Sequence, residues 1–377
     1  MDTTQSKNKR YQAVPTSRLS RLGSMGSIAT GLVGGMLAEG ARQLSKGNRP
    51  ATRDMFLTPA NIKRVTQRLA QMRGAAMKVG QLLSMEAGEF LSPELTEVLS
   101  RLQNAAEPMP FSQLTQVLED SWGPGWDSYF QQFSFEPFAA ASIGQVHRAR
   151  SACGEQLAIK VQYPGIERSI DSDVDNVAAL LKWSGLVPND LAIDPLLTQA
   201  KAQLRAEADY LLEKNWLNQF RDALTATAEH SGSFIVPRVF PEMTTRKILV
   251  MSYEYGIPLD QLGREPEGIR NQAVERLFSL FFRELFEFRT VQTDANYANF
   301  LFREDSREIV LLDFGATRTF PGHIVNAYLE IIMGAIHNNR ARIESAVSDI
   351  GFFQKRILPE QKKAVVDLFQ QACEPFT

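Results

Sequence analysis

The sequence contains few of the residues that build disulfide frameworks or zinc centres. Only two cysteines occur, Cys153 and Cys373, and they lie far apart in the chain. The four histidines do not have the spacing of metal ligands: His147, His230, His323 and His337. A disulfide-stabilised secreted fold and a structural zinc site are therefore disfavoured, and a reducing compartment fits the composition.

A strong net charge is also lacking. The formal net charge is -2 over 377 residues, so the chain as a whole gives no signal for nucleic-acid binding. Hydrophobic residues make up 44% and charged residues 22%, which is ordinary for a globular protein. The length allows one large two-lobed domain or two ordinary domains with a substantial buried core.

The N-terminal end is basic, unlike the rest of the chain. Between Met1 and Asp54, nine Lys or Arg residues stand against three acidic residues. Such a segment is attracted to anionic lipid headgroups, although a solvated, disordered tail has the same composition. We therefore expect residues 1–21 to form a basic N-terminal segment, with anionic membrane lipids as partners.

A charge-free stretch of 17 residues follows, from Leu22 to Ala38. Small residues occupy every fourth position within it: Gly23, Ser27, Gly31 and Gly35. This pattern is typical of membrane helices that pack closely, so residues 22–38 are predicted to form a membrane helix and a homodimer contact. A glycine-rich soluble helix or loop is the alternative, and spanning or lying on the membrane are both open.

The rest of the chain alternates between extended and helical patterns. Apolar residues at helical spacing predict a helical extension over residues 55–110. Strands early and helices late predict an α+β fold of two lobes, with an N-lobe at 111–255 and a C-lobe at 256–377. The predicted strand pairs are Ile143–Arg150 with Gln156–Val161, and Asn299–Arg303 with Glu308–Leu312; the predicted helices include Asp194–Ala223 and Asn271–Phe288.

Two motifs near the end of the second strand pair carry the main chemical signal. Asp313-Phe314-Gly315 places a carboxylate at the end of an apolar strand, where a hard oxygen ligand suits Mg²⁺ on nucleotide phosphates. Upstream, Asp294 is followed five residues later by Asn299, which matches the D-x-x-x-x-N catalytic loop of kinases. In that loop the Asp orients the nucleophile or accepts its proton, and the Asn holds a metal ion.

A lysine on the first hairpin completes this nucleotide signature. Leu157-Ala158-Ile159-Lys160 resembles the kinase strand whose lysine pairs with the α- and β-phosphates. Acidic residues on the following helix could orient that lysine: Glu207, Asp209 and Glu213. Asp209 and Glu213 lie four residues apart on one helix face and would repel each other, unless a lysine or a metal ion lies opposite them. A solvated acidic face is the alternative.

The loop expected over the phosphates differs from that of ordinary kinases. Where those have glycines, this chain has alanines before Gly144, and alanine stiffens the backbone. After Asp313, the segment Gly315–Pro321 runs almost directly into a helix, so the long activation segment that docks protein substrates is missing. Both features argue against routine protein phosphorylation.

Together these motifs resemble the UbiB family of atypical kinase-like proteins, also called aarF-domain kinases, and within it the coenzyme Q biosynthesis type. Lys78-Val79-Gly80-Gln81 fits the KxGQ motif of that family, and Glu207-x-Asp209 fits its ExD motif. The alanine-rich loop of the family matches Ala139, Ala140, Ala141, Ser142, Ile143, Gly144 and Gln145. Gln292-Thr293-Asp294 and Asp313-Phe314-Gly315 fit its catalytic and metal loops.

The resemblance implies a role for each matching residue. Lys160 is expected to bind ATP phosphates and pair with Glu213, Asp294 to accept the proton, and Asn299 and Asp313 to hold Mg²⁺, with Mn²⁺ as a substitute. The alanine-rich loop would contact the nucleotide, and a hinge would meet its adenine: Ser252, Tyr253, Glu254 and Tyr255. The helix of the KxGQ motif would fold over the cleft. The regulatory residues would be Lys78, Gly80, Gln81, Glu207 and Asp209, and Lys78 would also have a catalytic role, with Lys160, Glu213 and Asp294.

The resemblance also implies a membrane-associated ATPase that supports ubiquinone biosynthesis. Its partners would be ATP, anionic lipids, ubiquinone precursors and other enzymes of that biosynthesis. A phosphotransferase acting on a small molecule or protein, and a non-catalytic nucleotide-gated scaffold, remain as alternatives. No mitochondrial presequence is evident, so a bacterial inner membrane, at its cytoplasmic face, is expected. Family members continue for several dozen residues past Thr377, so the last helices of the C-lobe are expected to be missing from this sequence.

Overall fold

The computed structural model describes residue 69 and residues 72–87, 108–184, 193–226, 233–294, 296–353 and 357–374. The predicted basic segment, the predicted membrane helix at 22–38 and most of the predicted helical extension lie outside these residues. Among the helices that are described, none is long and apolar enough to cross a membrane. The chain divides into two compact units: unit 1 contains residues up to Asn218 and Pro237–Glu254, and unit 2 contains Gln219–Val236 and residues from Tyr255 onward.

Unit 1 is built on an antiparallel sheet. Its strands are β1 (Phe130–Phe133), β2 (Ala139–Ala141), β3 (Gly144–Ser151), β4 (Gln156–Gln162) and β6 (Ile248–Ser252). They pair in the order β1-β3-β4-β6, and β2 also pairs with β3. One face of the sheet packs on an apolar core, where Leu157, Ile159 and Val161 of β4 are all 0% exposed. This alternation leaves Lys160 pointing to the opposite face.

The helices of unit 1 surround that sheet. They are α1 (Arg73–Ala87), α2 (Phe111–Trp122), α3 (Ile166–Ser184), α4 (Ile193–Glu207) and the first part of α5 (Tyr210–Thr225). Helix α1 packs against α3 and α4. Its buried residues are apolar apart from one charged side chain, since Ala75, Ala76 and Val79 are covered together with Lys78.

Unit 2 has less strand and more helix. Strands β5 (Phe234–Ile235), β10 (Ile309–Leu311), β9 (Phe300–Phe302) and β7 (Ile257–Pro258) form one sheet, in which β5 and β10 run parallel. Strands β8 (Thr290–Gln292) and β11 (Thr317–Thr319) form an antiparallel pair. The helices are α6 (Glu267–Phe282), α7 (Gly322–Ile336), α8 (Arg340–Ile350) and α9 (Pro359–Ala372).

The predicted strand pairs are confirmed, with ends shifted by about one residue: β3 pairs with β4, and β9 pairs with β10. Two predicted helices differ from the structure. The helix predicted at Asp194–Ala223 is two helices, which break after Glu207. The helix predicted at Asn271–Phe288 changes at Arg283 into a π-helix that extends to Phe288. Such π-helical turns are frequent at functional sites.

Candidate active site

Strand β4 and helix α5 bring Lys160 and Glu213 together inside unit 1. The Lys160 Nζ lies 2.6 Å from the Glu213 Oε1, and the two side chains are 7% and 2% exposed. The ammonium group also lies 5.7 Å from the centre of the Tyr210 ring. The predicted pairing is therefore present in the structure. Burial strengthens the attraction between the charges and makes the loss of either partner costly.

A second buried ion pair joins the KxGQ helix to the end of α4. The Lys78 Nζ lies 2.6 Å from the Glu207 Oε1, and both side chains are less than a tenth exposed. The other oxygen of Glu207 accepts a hydrogen bond of 2.6 Å from the Ser142 hydroxyl. Glu207 thus links α1 to the alanine-rich loop, because its two carboxylate oxygens contact the side chains of Lys78 and Ser142.

Close backbone approaches explain two glycines near this cluster. A Cβ at Gly74 would lie 2.9 Å from the carbonyl oxygen of Ser142, so α1 packs directly on the alanine-rich turn. A Cβ at Gly144 would lie 2.3 Å from the carbonyl oxygen of Val161, which is too close for any side chain. Glycine at these positions therefore lets α1, the turn and β4 come together.

Asp209 caps the N-terminal end of helix α5. Its Oδ1 accepts from the backbone N–H groups of Leu211 and Leu212, at 3.1 and 3.4 Å. Its Oδ2 accepts from Arg246 at 2.9 Å. The expected repulsion between Asp209 and Glu213 is thus relieved by two separate cations, Arg246 and Lys160. Arg246 lies just before β6, and no motif in the sequence points to it.

The residues of the alanine-rich loop divide into an exposed part and a buried part. Ala139 and Ala140 are exposed, Ala141 and Ser142 are partly exposed, and Ile143, Gly144 and Gln145 are buried. The Gln145 side chain accepts from the Met109 N–H at 2.9 Å and bonds the His147 Nε2 at 2.8 Å. Its amide group is thus directed into the interior of unit 1, and the exposed alanines are the part within reach of a ligand.

His147 is a buried neutral group in the same unit. Its Nδ1 donates to the carbonyl oxygen of Ser134 at 2.8 Å, and its ring stacks on Phe133. Burial lowers the pKa of His147 to about 4, although the hydrogen bond to Ser134 acts in the opposite direction. The neutral ring can then accept from Gln145, so the hydrogen bonds of both side chains are satisfied.

The predicted hinge begins as part of the unit 1 sheet. The Ser252 N–H donates to the carbonyl oxygen of Arg238 at 2.8 Å, and the Tyr253 N–H donates to that of Gln156 at 2.9 Å. The Ser252 hydroxyl donates to Glu254 at 2.5 Å. Tyr255 lies in unit 2, where its hydroxyl donates to Asp305 at 3.1 Å. The N–H groups of Ser252 and Tyr253 are thus already engaged in backbone hydrogen bonds.

In unit 2, side-chain amides organise the loop that carries Asp294. The Asn299 Nδ2 donates to the carbonyl oxygen of Asp294 at 3.0 Å, so its Oδ1 is the atom left to serve as a metal ligand. The Gln292 Nε2 donates to the same carbonyl oxygen at 2.8 Å and to the carbonyl oxygen of Asp313 at 3.2 Å. Both loops are therefore tied together within one unit. The motif match placed Gln292 in the catalytic loop but did not assign it this contact.

The turn that carries Asp313 is fixed on both sides. The Asp313 Oδ1 accepts from the Gly315 N–H at 2.9 Å. The Phe314 ring is 1% exposed and packs on Phe220, with ring centres 4.8 Å apart. The Thr293 hydroxyl donates to the carbonyl oxygen of Ala316 at 2.6 Å. As predicted, no long activation segment follows, because α7 begins at Gly322 after the short strand β11.

A buried carboxyl group supports the strand before this loop. Glu284 lies in the π-helix, and its Oε2 accepts from the Gln292 N–H at 3.2 Å. Burial raises the pKa of Glu284 to about 8, although the hydrogen bond from Gln292 lowers it. Near neutral pH this side chain is therefore mostly a neutral acid. The sequence predicted only an ordinary helix here and gave no signal for this group.

The available donors fit magnesium held jointly by protein and phosphate. Within the described ranges, no group of three or more His, Cys, Asp or Glu side chains could hold a metal ion by itself. Asn299 and Asp313 offer two oxygen donors from tied loops. Mg²⁺ is usually bound through one or two carboxylates plus substrate phosphates, so this partial set matches a metal that arrives with a nucleotide.

Comparisons with known proteins agree with these motifs. The ABC1 atypical kinase-like domain matches residues 101–347. The chain is 37% identical to atypical kinase COQ8, mitochondrial, from Saccharomyces cerevisiae, over 97% of this chain and 72% of that protein. It is 40% identical to atypical kinase COQ8B, mitochondrial, from Rattus norvegicus, over 98% of this chain and 70% of that protein.

A solved structure supports the fold. The complex of Rv3197 with erythromycin from Mycobacterium tuberculosis aligns with a TM-score of 0.51 and 25% identity, over 83% of this chain and 78% of that one. The predicted α+β kinase-like fold is therefore confirmed. Coverage of the curated relatives varies, and the chain spans 55% of COQ8B from Danio rerio. The chain belongs to the ABC1 atypical kinase-like family, of the type represented by the COQ8 proteins of coenzyme Q biosynthesis.

Proposed function

We propose that this chain is an atypical kinase-like ATPase that binds Mg-ATP and supports coenzyme Q biosynthesis at a membrane. The observation that carries the proposal is the buried ion pair of Lys160 and Glu213, at 2.6 Å. In protein kinases, a strand lysine paired with a helix glutamate contacts the nucleotide phosphates, and the pair must be in place for catalysis. A buried pair of this kind adds little net stability, because desolvation of the two charges offsets their attraction, so a functional role explains it better than a stabilising one.

Unit 2 carries the other residues to which we assign a role in ATP turnover. Asp294 would orient the attacking water or accept its proton, and Asn299 and Asp313 would hold Mg²⁺. When bound, the metal ion would neutralise charge on the phosphates. Fixing the loops by hydrogen bonds in advance favours catalysis, because no reorganisation is needed when charge develops on the phosphates.

Hydrolysis is favoured over protein phosphorylation by the segment after Asp313. Only six residues separate Gly315 from Gly322, where α7 begins, and three of them form β11. The segment on which kinases dock a protein substrate is absent from this described stretch. The Lys78–Glu207–Ser142 cluster also fixes a helix directly on the alanine-rich turn. Transfer of the phosphoryl group to a small molecule remains the second candidate, because the Asp294–Asn299 spacing is that of a phosphotransferase loop.

The biosynthetic role and the membrane are proposed on the family and on the basic N-terminal end. Relatives from yeast and rat are named as COQ8 proteins and as mitochondrial. These names give no support to the expected bacterial inner membrane. Nine basic residues before Asp54 support attraction to an anionic bilayer.

ATP turnover measured with and without vesicles tests the proposal. We expect hydrolysis that increases with vesicles containing anionic lipid, and little increase with neutral phosphatidylcholine vesicles. Asp313→Asn should lower turnover by about 100-fold or more, because it removes a ligand charge. Asp349→Asn makes the same change on the exposed face of α8 and should leave turnover unchanged.

Absence of hydrolysis under all conditions, or turnover that Asp313→Asn does not change, would contradict the proposal. Transfer of radiolabel from ATP to a component of a lipid extract, in place of phosphate release, would favour the phosphotransferase candidate instead.

A further inference from the structure

Gln292 connects the two loops that carry the candidate catalytic and metal-binding residues. It is the last residue of β8, two residues before Asp294. Its Nε2 donates to the carbonyl oxygen of Asp294 at 2.8 Å and to that of Asp313 at 3.2 Å. One amide group has two N–H donors, so both donors are used, and each is used on a different loop.

We propose that Gln292 is a positioning residue that sets the distance between the Asp294 loop and the Asp313 loop, and thereby the geometry in which Mg-nucleotide is held. This inference rests on the proposed function and extends it to a residue outside the metal and phosphate contacts. Gln292 itself touches neither the metal ion nor the phosphates in this account. It acts on the backbone of the residues that do.

The hydrogen bonds form a continuous path between the two candidate metal ligands. Asn299 donates to the carbonyl oxygen of Asp294 at 3.0 Å, and Gln292 donates to that same oxygen. Gln292 then reaches the backbone of Asp313. Mg²⁺ requires near-ideal octahedral geometry, so a change in the spacing of its ligands is costly. A displacement of about 1 Å at a reacting centre can lower the rate by about 100-fold.

The backbone of Gln292 is also held by hydrogen bonds, which keeps its side-chain amide in place between the two loops. Its backbone N–H donates to the buried Glu284 at 3.2 Å, and its backbone pairs with Thr317 across β8 and β11. The next residue, Thr293, donates its hydroxyl to the carbonyl oxygen of Ala316 at 2.6 Å. The strand that carries the amide thus cannot shift without breaking several hydrogen bonds.

Only a side chain with two donors at this length meets the requirement. Leucine has a similar size but would remove both of these hydrogen bonds, and the Asp294 carbonyl oxygen would keep only the bond from Asn299. Histidine can offer one N–H at this length and would restore one of the two bonds. The expected order of function is therefore wild type, then Gln292→His, then Gln292→Leu.

The experiment compares these variants with Gln370→Leu. Gln370 lies on α9 in unit 2, where it donates to Asn338 at 2.6 Å and accepts from Arg340 at 2.9 Å. Its loss removes two side-chain hydrogen bonds from the same unit, away from both loops. Each protein is assayed for ATP turnover, for the binding of a fluorescent ATP analogue as Mg²⁺ is varied, and for its melting temperature.

We expect Gln292→Leu to lower kcat by roughly 10- to 100-fold while the KM for ATP changes by less than about threefold. The Mg²⁺ concentration for half-maximal analogue binding should rise, and binding without Mg²⁺ should stay the same. Gln292→His should recover part of the loss, and Gln370→Leu should match the wild type in turnover and Mg²⁺ dependence, whatever its melting temperature.

Several results would overturn the inference. One is a Gln292→Leu protein with the wild-type kcat and Mg²⁺ dependence, and another is a loss in Gln370→Leu equal to that in Gln292→Leu. If the wild type binds the analogue but does not hydrolyse ATP, the proposed function fails alone, and the Mg²⁺ dependence of binding still decides the role of Gln292. A wild-type chain that binds no nucleotide overturns both.

Discussion

Unit 1 holds its site residues through buried charges, whereas unit 2 holds its loops through neutral donors. In unit 1, Lys78 and Lys160 each meet a buried glutamate at 2.6 Å. In unit 2, amide groups of Gln292 and Asn299 and the hydroxyl of Thr293 donate to backbone carbonyl oxygens. In unit 1, Lys160 is thus positioned by the charged Glu213. In unit 2, the backbones of Asp294 and Asp313 are positioned by neutral amide donors.

This difference fits the chemistry proposed for each unit. A buried lysine that binds phosphate must be charged, and a neighbouring carboxylate favours the charged form of a lysine. A cation next to carboxylates that bind a metal ion would compete with that ion for the carboxylate oxygens. Neutral donors to the backbone set the geometry of these loops without adding a charge to them.

Each unit also buries a titratable group whose pKa is strongly shifted. Unit 1 buries a histidine whose pKa is lowered to about 4, and unit 2 buries a glutamate whose pKa is raised to about 8. Both groups are neutral near pH 7. Their effects on stability have opposite signs, so acid should weaken unit 1 and mild base should weaken unit 2.

The largest expected effect concerns Glu284. The folded unit retains a proton that the unfolded chain releases above its ordinary pKa of 4.5. The contribution of Glu284 to the free energy of unfolding is therefore complete below pH 4.5. It falls by about 1.4 kcal/mol per pH unit as the pH rises to about 8, which is a total of about 5 kcal/mol. Opening free energies from hydrogen exchange of the β8 amides should show this slope. Glu284→Gln should remove the slope, whereas Glu287→Gln, an exposed neighbour in the π-helix, should keep it.

The next effect concerns the ion pair of unit 1. Glu213→Leu leaves the Lys160 charge buried without its carboxylate partner and should cost about 3–5 kcal/mol of stability. Adding Lys160→Met should restore most of that loss, because two apolar groups replace two charges, but nucleotide binding should stay lost. Lys201→Met breaks the exposed pair with Asp175 and should cost less than about 1 kcal/mol. Chemical denaturation checks all three, and equal losses in Glu213→Leu and Lys201→Met would contradict the account.

A smaller effect, of opposite sign to that of Glu284, is expected from His147. Its pKa is lowered from 6.5 to about 4, so the unfolded chain takes up a proton first as the pH falls. Stability is complete above pH 6.5 and should fall by about 3 kcal/mol by pH 4. Hydrogen exchange of the β3 amides should report the loss. His147→Gln should lack the slope, while the exposed His323→Gln should retain it; an unchanged slope in His147→Gln would break the contrast between the units.

The smallest effect concerns Asp209. Asp209→Ala removes the N-terminal cap of α5 and should cost about 1 kcal/mol. Asp209→Asn keeps a capping oxygen and loses only the partly exposed pair with Arg246. Its loss of stability should therefore be a few tenths of the loss in Asp209→Ala. Thermal denaturation of the two variants distinguishes the roles. Equal losses in both would mean that the charge, rather than the cap, is what matters.

The sequence predicted the parts of the site that depend on order and spacing along the chain. Lys160 on the second strand of a hairpin and Asp313 at the end of a strand follow from local patterns, and both strand pairs are present. The residues alone left Glu207, Asp209 and Glu213 as candidate partners of Lys160, and the family resemblance selected Glu213.

The remaining features depend on geometry that no local pattern contains. A helical pattern across Asp209 cannot show that the helix breaks there and that this carboxylate caps the second helix. The change to a π-helix at Arg283 alters which side chains face inward, and so Glu284 is buried where an ordinary helix was expected. The role of Gln292 depends on two carbonyl groups in separate loops, which come together only in the folded unit.

The most direct test of the account compares one residue from each unit in calorimetric titrations with ATP. We predict that Lys160→Met weakens the binding of ATP equally with and without Mg²⁺, because the lysine contacts phosphate. Asp313→Asn should weaken binding only when Mg²⁺ is present, because the carboxylate holds the metal ion. Equal dependence on Mg²⁺ in both variants, or unchanged binding in either, would contradict the assignment of phosphate contact to Lys160 and of metal binding to Asp313.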